Sequence, residues 1–129
     1  MKENMKENMR ILNLTQHSAS DEQIAAGVVE LSKNQKQKLA ELLTFGYIPS
    51  NEELTNRANE IAEIAHKEGM HAAMIGGAPF FMSHLEDALR VRGVVPLYAF
   101  SKRESREEKT EDGTRKVNVF RHIGFVPAK

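Results

Sequence analysis

The chain of 129 residues contains no cysteine, no apolar run long enough to span a bilayer, and no excess of charge of either sign. The lack of cysteine excludes disulfide bonds and cysteine-ligated zinc. The lack of a long apolar run argues against a membrane span or a secretion signal, so we expect a cytoplasmic protein with no membrane partner. Because 18 basic residues balance 18 acidic ones, no overall field attracts long nucleic acids, and an anionic ligand must be held by a local group of residues.

The length of the chain and its N-terminal repeat define the expected domain. A chain of 129 residues suits one domain with one site. The opening MKENMKENMR repeats a four-residue unit and carries no apolar stripe. We therefore expect residues 1–9 to be a leader, either disordered or a helical extension, and residues 10–129 to form a single α/β domain.

Short apolar runs alternate with amphipathic segments along this domain. Strands are predicted at residues 10–16, 27–31, 71–75 and 94–100. Helices are predicted to follow Ser20, Ser32 and Ser50, each of which has Gln or Glu three residues later in capping-box spacing, and to begin at Pro79. Within the fourth strand, Pro96 argues for an edge position or a bend, because proline cannot donate to a sheet.

The alternation predicts an α/β fold with a mainly parallel sheet flanked by helices. The dipeptide Asp112-Gly113 adds a C-terminal antiparallel β-hairpin between residues 101–110 and 115–122. In parallel sheets, ligands bind outside the carboxyl ends of the strands. Three polar or glycine-rich segments are expected there, at residues 16–20, 76–80 and 101–104.

The sequence GGAP at residues 76–79 joins the third strand to a helix. It matches neither the P-loop nor the dinucleotide-binding motif, and a tight turn alone would account for its glycines. Pro79, however, begins a helix whose free amides point back toward the turn and favour an anion. Phe80 or Phe81 could supply a stacking face for a base.

Cations follow the fourth strand where it is expected to leave the core. We expect Lys102 and Arg103 to lie near the site, and residues 106–109 to form a solvated face. A two-residue turn at Asp112-Gly113 predicts three opposing pairs, namely Arg103 with His122, Glu104 with Arg121, and Ser101 with Gly124. A bulge would break this register.

A guanidinium beside an imidazole suits phosphodiester chemistry. Arginine or lysine can stabilise charge on the phosphorane, while histidine or a hydroxyl handles a proton. His17 and Ser18, in the first strand-end loop, could bind a phosphate or a base edge, although a loop histidine is more often only polar surface. The remaining histidines lack metal-ligand spacing, so we predict no metal and no other cofactor. The motifs G-x-S-x-G and H-E-x-x-H do not occur, which argues against hydrolases of those kinds.

The stretch MIGGAPFFMSHLEDALRVRGVVPLYAFSKRES, the closing RKVNVFRHIGF and, more weakly, LTQHSASDEQ resemble the small stand-alone CRISPR-associated Rossmann-fold (CARF-like) proteins, which include ring nucleases. The resemblance implies a Rossmann-like domain, a homodimer, and a two-fold symmetric pocket for a cyclic oligoadenylate. It implies ligand-binding positions at Gln16, His17, Ser18, Gly76, Gly77, Ala78, Pro79, Ser101, Lys102 and Arg103. In metal-independent members, cleavage consists of aligning each ribose 2′-hydroxyl with the neighbouring phosphate. The catalytic residues of the family vary, so the resemblance alone assigns no catalytic role to Arg103 or His122.

Three functions are consistent with these observations. The first is metal-independent cleavage of a cyclic oligoadenylate, with the tetra-adenylate as the expected ring, which would switch off or counter CRISPR-type antiviral signalling. Its candidate catalytic residues are Ser101, Lys102, Arg103 and His122, and Phe80, Glu104 and Arg121 join the candidate ligand-binding residues. The second is a module that binds a nucleotide messenger without cleaving it. The third is another nucleotide-processing enzyme, for which Glu104 is the candidate acid.

Overall fold

The computed structural model of the protein describes residues 9–129. The predicted leader therefore lies outside the described residues, except for Met9. The elements in chain order are β1 (Ile11–Leu14), α1 (Asp21–Ala25), β2 (Val28–Val29), α2 (Lys33–Leu43), α3 (Asn51–Lys67), β3 (Ala72–Ile75), α4 (Pro79–Val91), β4 (Val95–Thr110) and β5 (Gly113–Pro127). None of the helices within this part of the chain has the length and apolar content needed to cross a membrane.

The helix starts follow the predicted capping residues. Ser20 and Ser32 each form a complete capping box, in which the serine hydroxyl accepts from the backbone of a glutamine whose side chain bonds back. The third box is only half formed. Ser50 accepts from the Glu53 amide at 3.1 Å, but the Glu53 carboxylate is used elsewhere, since it accepts from the Tyr47 hydroxyl at 2.8 Å.

The five strands form one sheet in the order β2-β1-β3-β4-β5. The first four strands run parallel and β5 runs antiparallel to β4. The predicted mixed α/β class, with a mostly parallel sheet and an antiparallel C-terminal strand pair, is confirmed. Because β2 and β3 lie on opposite sides of β1, the chain reverses its direction of travel across the sheet at β1.

The two faces of the sheet pack against different partners. On one face, strand residues such as Leu12, Leu14, Ala73 and Ile75 pack with buried residues of α2, α3 and α4, among them Leu39, Ile61, Phe81 and Leu85. On the other face a smaller buried cluster contains Ile11, Val28, Ala72, Met74 and Leu97, against which Ala19 and Phe125 pack. The strands are therefore buried on both sides, as their continuous apolar runs predict.

β4 lies inside the sheet and not at its edge, contrary to one of the two expectations drawn from Pro96. Pro96 is paired with Ala73 of β3. Its carbonyl accepts from Ala128 at 2.9 Å, so this peptide faces the end of β5, where pairing stops at Leu97 and Pro127. The missing N–H thus falls where no ladder bond is required.

β4 also continues much further than predicted, because the expected fourth strand and the first strand of the hairpin are one strand. The turn lies one residue earlier than expected. Thr110 pairs with Gly113, so Glu111 and Asp112 form the turn. Gly113 has a φ of +127° and is the first residue after the turn, a position where glycine tolerates the positive φ.

The predicted hairpin register is therefore wrong. The observed pairs are Ser101 with His122, Lys102 with Arg121, Arg103 with Phe120, and Glu104 with Val119. A register shift between Phe100 and Ser101 then pairs Phe100 with Gly124. Each predicted partner is displaced by two positions along β5, and Arg103 and His122 are not a directly opposed pair.

Candidate functional site

A cavity of about 550 Å³ lies at the carboxyl ends of β1 and β3. It is lined by Thr15, Gln16, His17, Ser18, Gln23, Met74, Ile75, Gly76, Gly77, Tyr98 and Ala99. This is the point at which the strand order reverses, and open α/β sheets bind their ligands at such points. Its volume falls within the ~300–1,000 Å³ of small-molecule sites.

The floor of the cavity is the turn between β3 and α4. Gly77 has a φ of +151°, a conformation that favours glycine. Ala78 follows as the N-cap residue of α4 and provides no side-chain cap, and Pro79 is the first helical residue, as predicted. Pro79 has no N–H, and the Phe81 amide donates to the Ala78 carbonyl at 2.9 Å. The Phe80 amide therefore remains in the first turn of α4 without a capping side chain, and the helix dipole favours an anion near it.

The opposite wall is the loop after β1, and Asn13 holds it in place. Asn13 is only 4% exposed. Its side-chain amide donates to Glu30 Oε1 at 2.6 Å and to the His17 carbonyl at 2.8 Å. Its oxygen accepts from the Thr15 amide at 2.9 Å and the Thr15 hydroxyl at 2.7 Å. One buried side chain therefore fixes the backbone that presents residues 16–18 to the cavity.

Glu30 completes this network from the end of β2. Its second oxygen accepts from the Ala19 amide at 3.1 Å and lies 3.4 Å from the Lys36 ammonium. Partial burial acts to raise the pKa of Glu30, but the hydrogen bonds from Asn13 and Ala19 and the charge of Lys36 outweigh it and hold the pKa below its ordinary value. Glu30 is therefore ionised at neutral pH and clamps both ends of the loop.

Tyr98 forms the side of the cavity nearest β4. Its hydroxyl donates to Glu86 of α4 at 2.5 Å, and Glu86 in turn pairs with Arg90 at 3.5 Å. Burial and the bond to this carboxylate raise the pKa of Tyr98 to about 12. Tyr98 therefore keeps its proton at neutral pH and serves as a rigid wall, not as a base.

Five of the predicted ligand-binding residues lie together in this cavity, namely Gln16, His17, Ser18, Gly76 and Gly77. Ala78 and Pro79 lie directly behind the floor, at the start of α4. Phe80 faces elsewhere. It lines a second, apolar cavity of about 580 Å³ between α4 and the loop that joins α2 to α3, where its ring packs edge-on against Phe45 at a centroid distance of 5.1 Å.

The predicted residues at 101–104 do not line the cavity, because β4 continues past it as a strand. β4 contributes Tyr98 and Ala99 in their place. The Arg103 guanidinium lies 5.7 Å from the Phe120 ring centroid. His122 pairs with Ser101 and its ring packs 4.7 Å from that of Phe125.

Arg121 is already paired. It lies 3.1 Å from Glu22 of α1 and 3.5 Å from Glu104. The hydrogen bond from Arg121 lowers the pKa of Glu22, aided by the backbone amide of His122, which donates to the same carboxylate. This contact ties β5 to α1, whose Gln23 lines the cavity.

Among residues 9–129, the cavity lining contains no lysine or arginine. Within residues 9–129, no group of three or more potential ligating residues is placed to hold a metal ion. Binding in the cavity would therefore rely on backbone amides, side-chain hydroxyls, the side-chain amides of glutamine, and one imidazole.

Asn13, Glu30, Gln23 and Tyr98 are site residues that the sequence reasoning missed. A signal for the first exists, because Asn13 interrupts the apolar run ILNL, and a polar side chain inside a buried strand must find partners. Glu30 carries no comparable signal, since it lies 17 residues from Asn13 and only the fold joins them.

A family model described as the uncharacterized protein MJ1673 family matches residues 9–126 of the chain. No curated protein and no solved structure matches the chain. The matched segment includes every residue that lines the cavity.

The Asn13 network predicts the effect of one added charge. Asn13→Asp places a carboxylate where the amide now donates to Glu30, and we expect it to lower the free energy of unfolding by about 1–3 kcal/mol near neutral pH. Adding Glu30→Gln restores a donor and should recover much of this loss. Urea unfolding measures both, with exposed Asn56→Asp as control, expected within ~0.5 kcal/mol of the parent. No rescue by the second change would contradict the network.

The two glycines of the floor should differ in tolerance. Gly77 has a φ of +151°, which a residue with a side chain rarely adopts, and a Cβ there would lie 3.4 Å from Met82. A Cβ on Gly76 would lie 3.6 Å from Thr15, an ordinary contact. Gly77→Ala should therefore destabilise by about 1–3 kcal/mol and Gly76→Ala by less than ~0.5 kcal/mol. Thermal unfolding of the two variants tests the turn, and equal losses would count against it.

We expect the Tyr98 hydroxyl to ionise in a separate step at high pH. Because the folded-state pKa is raised to about 12, the stabilisation from this phenol is complete below the ordinary tyrosine pKa of ~10 and is lost as the pH rises toward 12. Absorbance titration at 295 nm should show a step near pH 12 that Tyr98→Phe removes and Tyr47→Phe retains. A step near 12 that survives Tyr98→Phe would refute the assignment.

Proposed function

The chain belongs to the MJ1673 family, and we propose that it binds a nucleotide messenger of the cyclic oligoadenylate class in the cavity between β1 and β3. The observation that carries the proposal is a polar loop that lines the cavity together with the Gly76-Gly77 turn, which leads directly into the uncapped start of α4. The loop offers Gln16, His17 and Ser18 for base edges and hydroxyls. The Phe80 amide and the dipole of α4 offer a site for a phosphate.

The charge of the lining supports a phosphodiester over other phosphates. Each phosphate of a cyclic oligonucleotide carries a single negative charge, whereas nucleoside di- and triphosphates carry several on one chain. Sites for the latter usually supply lysine, arginine or a metal ion. A lining to which the described part of the chain contributes no lysine or arginine suits singly charged phosphates held at a helix start.

A ring of several nucleotides would need more than one copy of the protein. Each copy offers one uncapped helix start next to the cavity floor, while a tetra-adenylate ring carries four phosphates. We therefore propose that two Rossmann-like domains form a homodimer that holds one ring between two equivalent cavities, in keeping with the CARF-like resemblance.

Cleavage of the ring is the second candidate, and the exposed His17 in the lining favours it. In that reaction a ribose 2′-oxygen attacks the neighbouring phosphorus, the bond to the 5′-oxygen breaks, and a 2′,3′-cyclic phosphate forms. His17 would accept the 2′-hydroxyl proton, and the leaving 5′-oxygen would take up a proton. Ser101, Lys102, Arg103 and His122 lie on β4 and β5 outside the lining, so the single-chain geometry favours binding over their direct catalysis.

Thermal unfolding with defined nucleotides tests binding. Cyclic tetra-adenylate at 100 times its Kd should stabilise the fold by about 2.7 kcal/mol, a rise in Tm on the order of 10 °C, while ATP at the same concentration should have little effect. His17→Ala and Ser18→Ala should each weaken binding roughly fivefold, and the exposed His66→Ala serves as control. A larger shift with ATP than with any cyclic oligoadenylate would overturn the proposal.

Chromatography of the labelled ring after incubation separates the two candidates. Linear fragments ending in a 2′,3′-cyclic phosphate, formed by the parent chain and lost in His17→Ala, indicate cleavage. An intact ring together with a thermal shift indicates a binding module.

A further inference from the structure

β4 and β5 extend beyond the sheet as a two-stranded arm. We define the β4–β5 arm as residues 100–123. Leu97 is the last β4 residue paired with β3, so within the described residues the arm has no third strand, and most of its side chains are exposed. A two-stranded ribbon is only marginally stable alone in water, and a free strand edge is a template for another strand.

The charges along the free edge of β4 have an internal symmetry. Residues 102–108 read KRESREE. Counting outward from Ser105, each cation on one side is matched by a carboxylate at the same distance on the other. The matched positions are Glu104 with Arg106, Arg103 with Glu107, and Lys102 with Glu108.

We propose that two copies of this chain pair through the β4 edges of their arms, antiparallel about a two-fold axis at Ser105. In that register Glu104 lies opposite the partner's Arg106, Arg103 opposite the partner's Glu107, and Lys102 opposite the partner's Glu108. Each attractive pair occurs twice by symmetry, and side chains directly opposite one another share a face. The arms become a four-stranded sheet in the order β5-β4-β4-β5.

The outer edge of β5 lacks this property. Its charged residues are all basic, namely Arg115, Lys116 and Arg121, so two β5 edges would bring together cations without carboxylates. The charge pattern therefore selects β4 as the paired edge.

Several of the β4 charges are available for a partner. Among the described residues, the ion pairs on β4 are Arg106 with Glu108, Glu108 with Arg115, and Glu104 with Arg121. Arg106 and Glu108 remain 63% and 39% exposed in their side chains. Lys102, Arg103 and Glu107 form no ion pair within residues 9–129, and the register gives each of them one.

Charge reversal tests the register through the dimerisation constant. Arg106→Glu opposes the partner's Glu104, and Glu104→Arg opposes the partner's Arg106, so each variant alone should weaken dimerisation by about tenfold or more, because two attractive contacts become repulsive. Mixing the two variants restores both attractive pairs and should restore a heterodimer. The double variant should also dimerise. Sedimentation equilibrium measures all four samples.

Matched controls change the same charges outside the paired stretch. Lys116→Glu lies on β5 and Glu111→Arg lies in the turn, and neither should change the dimerisation constant more than about twofold. Recovery on mixing shows that the single variants are folded. A monomeric parent protein over the whole concentration series would overturn the proposal, and so would a dimer that neither single reversal weakens.

A single introduced cysteine tests the position of the two-fold axis directly, because the chain has no cysteine of its own. In the proposed register Ser105 faces the partner's Ser105 at a Cα separation of ~4.5–5.5 Å, which is within the range of a disulfide. Ser105→Cys should form a disulfide-linked dimer under mild oxidation, and Asn118→Cys on β5 should not. Faster cross-linking at residue 118 would place the interface on β5 and refute this register. These tests use no nucleotide, and they concern the same homodimer that the proposed function invokes. A protein that stays monomeric yet gains thermal stability with cyclic tetra-adenylate would refute this interface and leave nucleotide binding in the cavity standing.

Discussion

The buried amide of Asn13 is the interaction on which the site depends. β1 is covered on both faces, so a polar side chain within it must find partners inside the protein. Asn13 finds them in Glu30 and in the loop that follows β1. The same bonds that satisfy this one side chain therefore set the path of the loop and hold the end of β2 beside it. This wall of the cavity is therefore held by the same hydrogen bonds that the buried side chain requires.

The described lining of the cavity presents backbone and side-chain dipoles, whereas many phosphate sites present cations. The first turn of α4 has no capping side chain, and Glu30, the carboxylate bonded to the β1 loop, already accepts from Asn13, Ala19 and Lys36. On the other side, Arg121 is held by Glu22 and Glu104. This distribution of charge agrees with our proposal of a ligand whose negative charges are spread singly over separate phosphodiesters.

The length of β4 separates two roles within one strand. Its first residues pack into the sheet and place Tyr98 and Ala99 at the cavity. The rest of the strand leaves the sheet, and there the burial seen at Pro96 and Leu97 gives way to nearly continuous exposure. A strand that is no longer stabilised by a core needs another strand, and the charge symmetry about Ser105 describes which one would fit.

What could be predicted from the sequence was local. The capping boxes at Ser20 and Ser32 and the start of α4 at Pro79 depend on bonds within a few residues, so the sequence alone determined them. The convergence of residues 16–18 with residues 76–77 was also predictable, because neighbouring parallel strands end at the same edge of a sheet.

The register of the arm was not predictable, since moving a turn by one residue displaces every partner along the opposing strand by two. Nor were the bond between Asn13 and Glu30 or the bond between Tyr98 and Glu86, because each joins residues from different elements. Local hydrogen bonding and steric preference act along the chain, whereas side-chain partners across elements exist only after the sheet and helices have packed. For this reason the sequence by itself determined the elements and the edge at which the site lies, and only the tertiary structure decided which side chains line it.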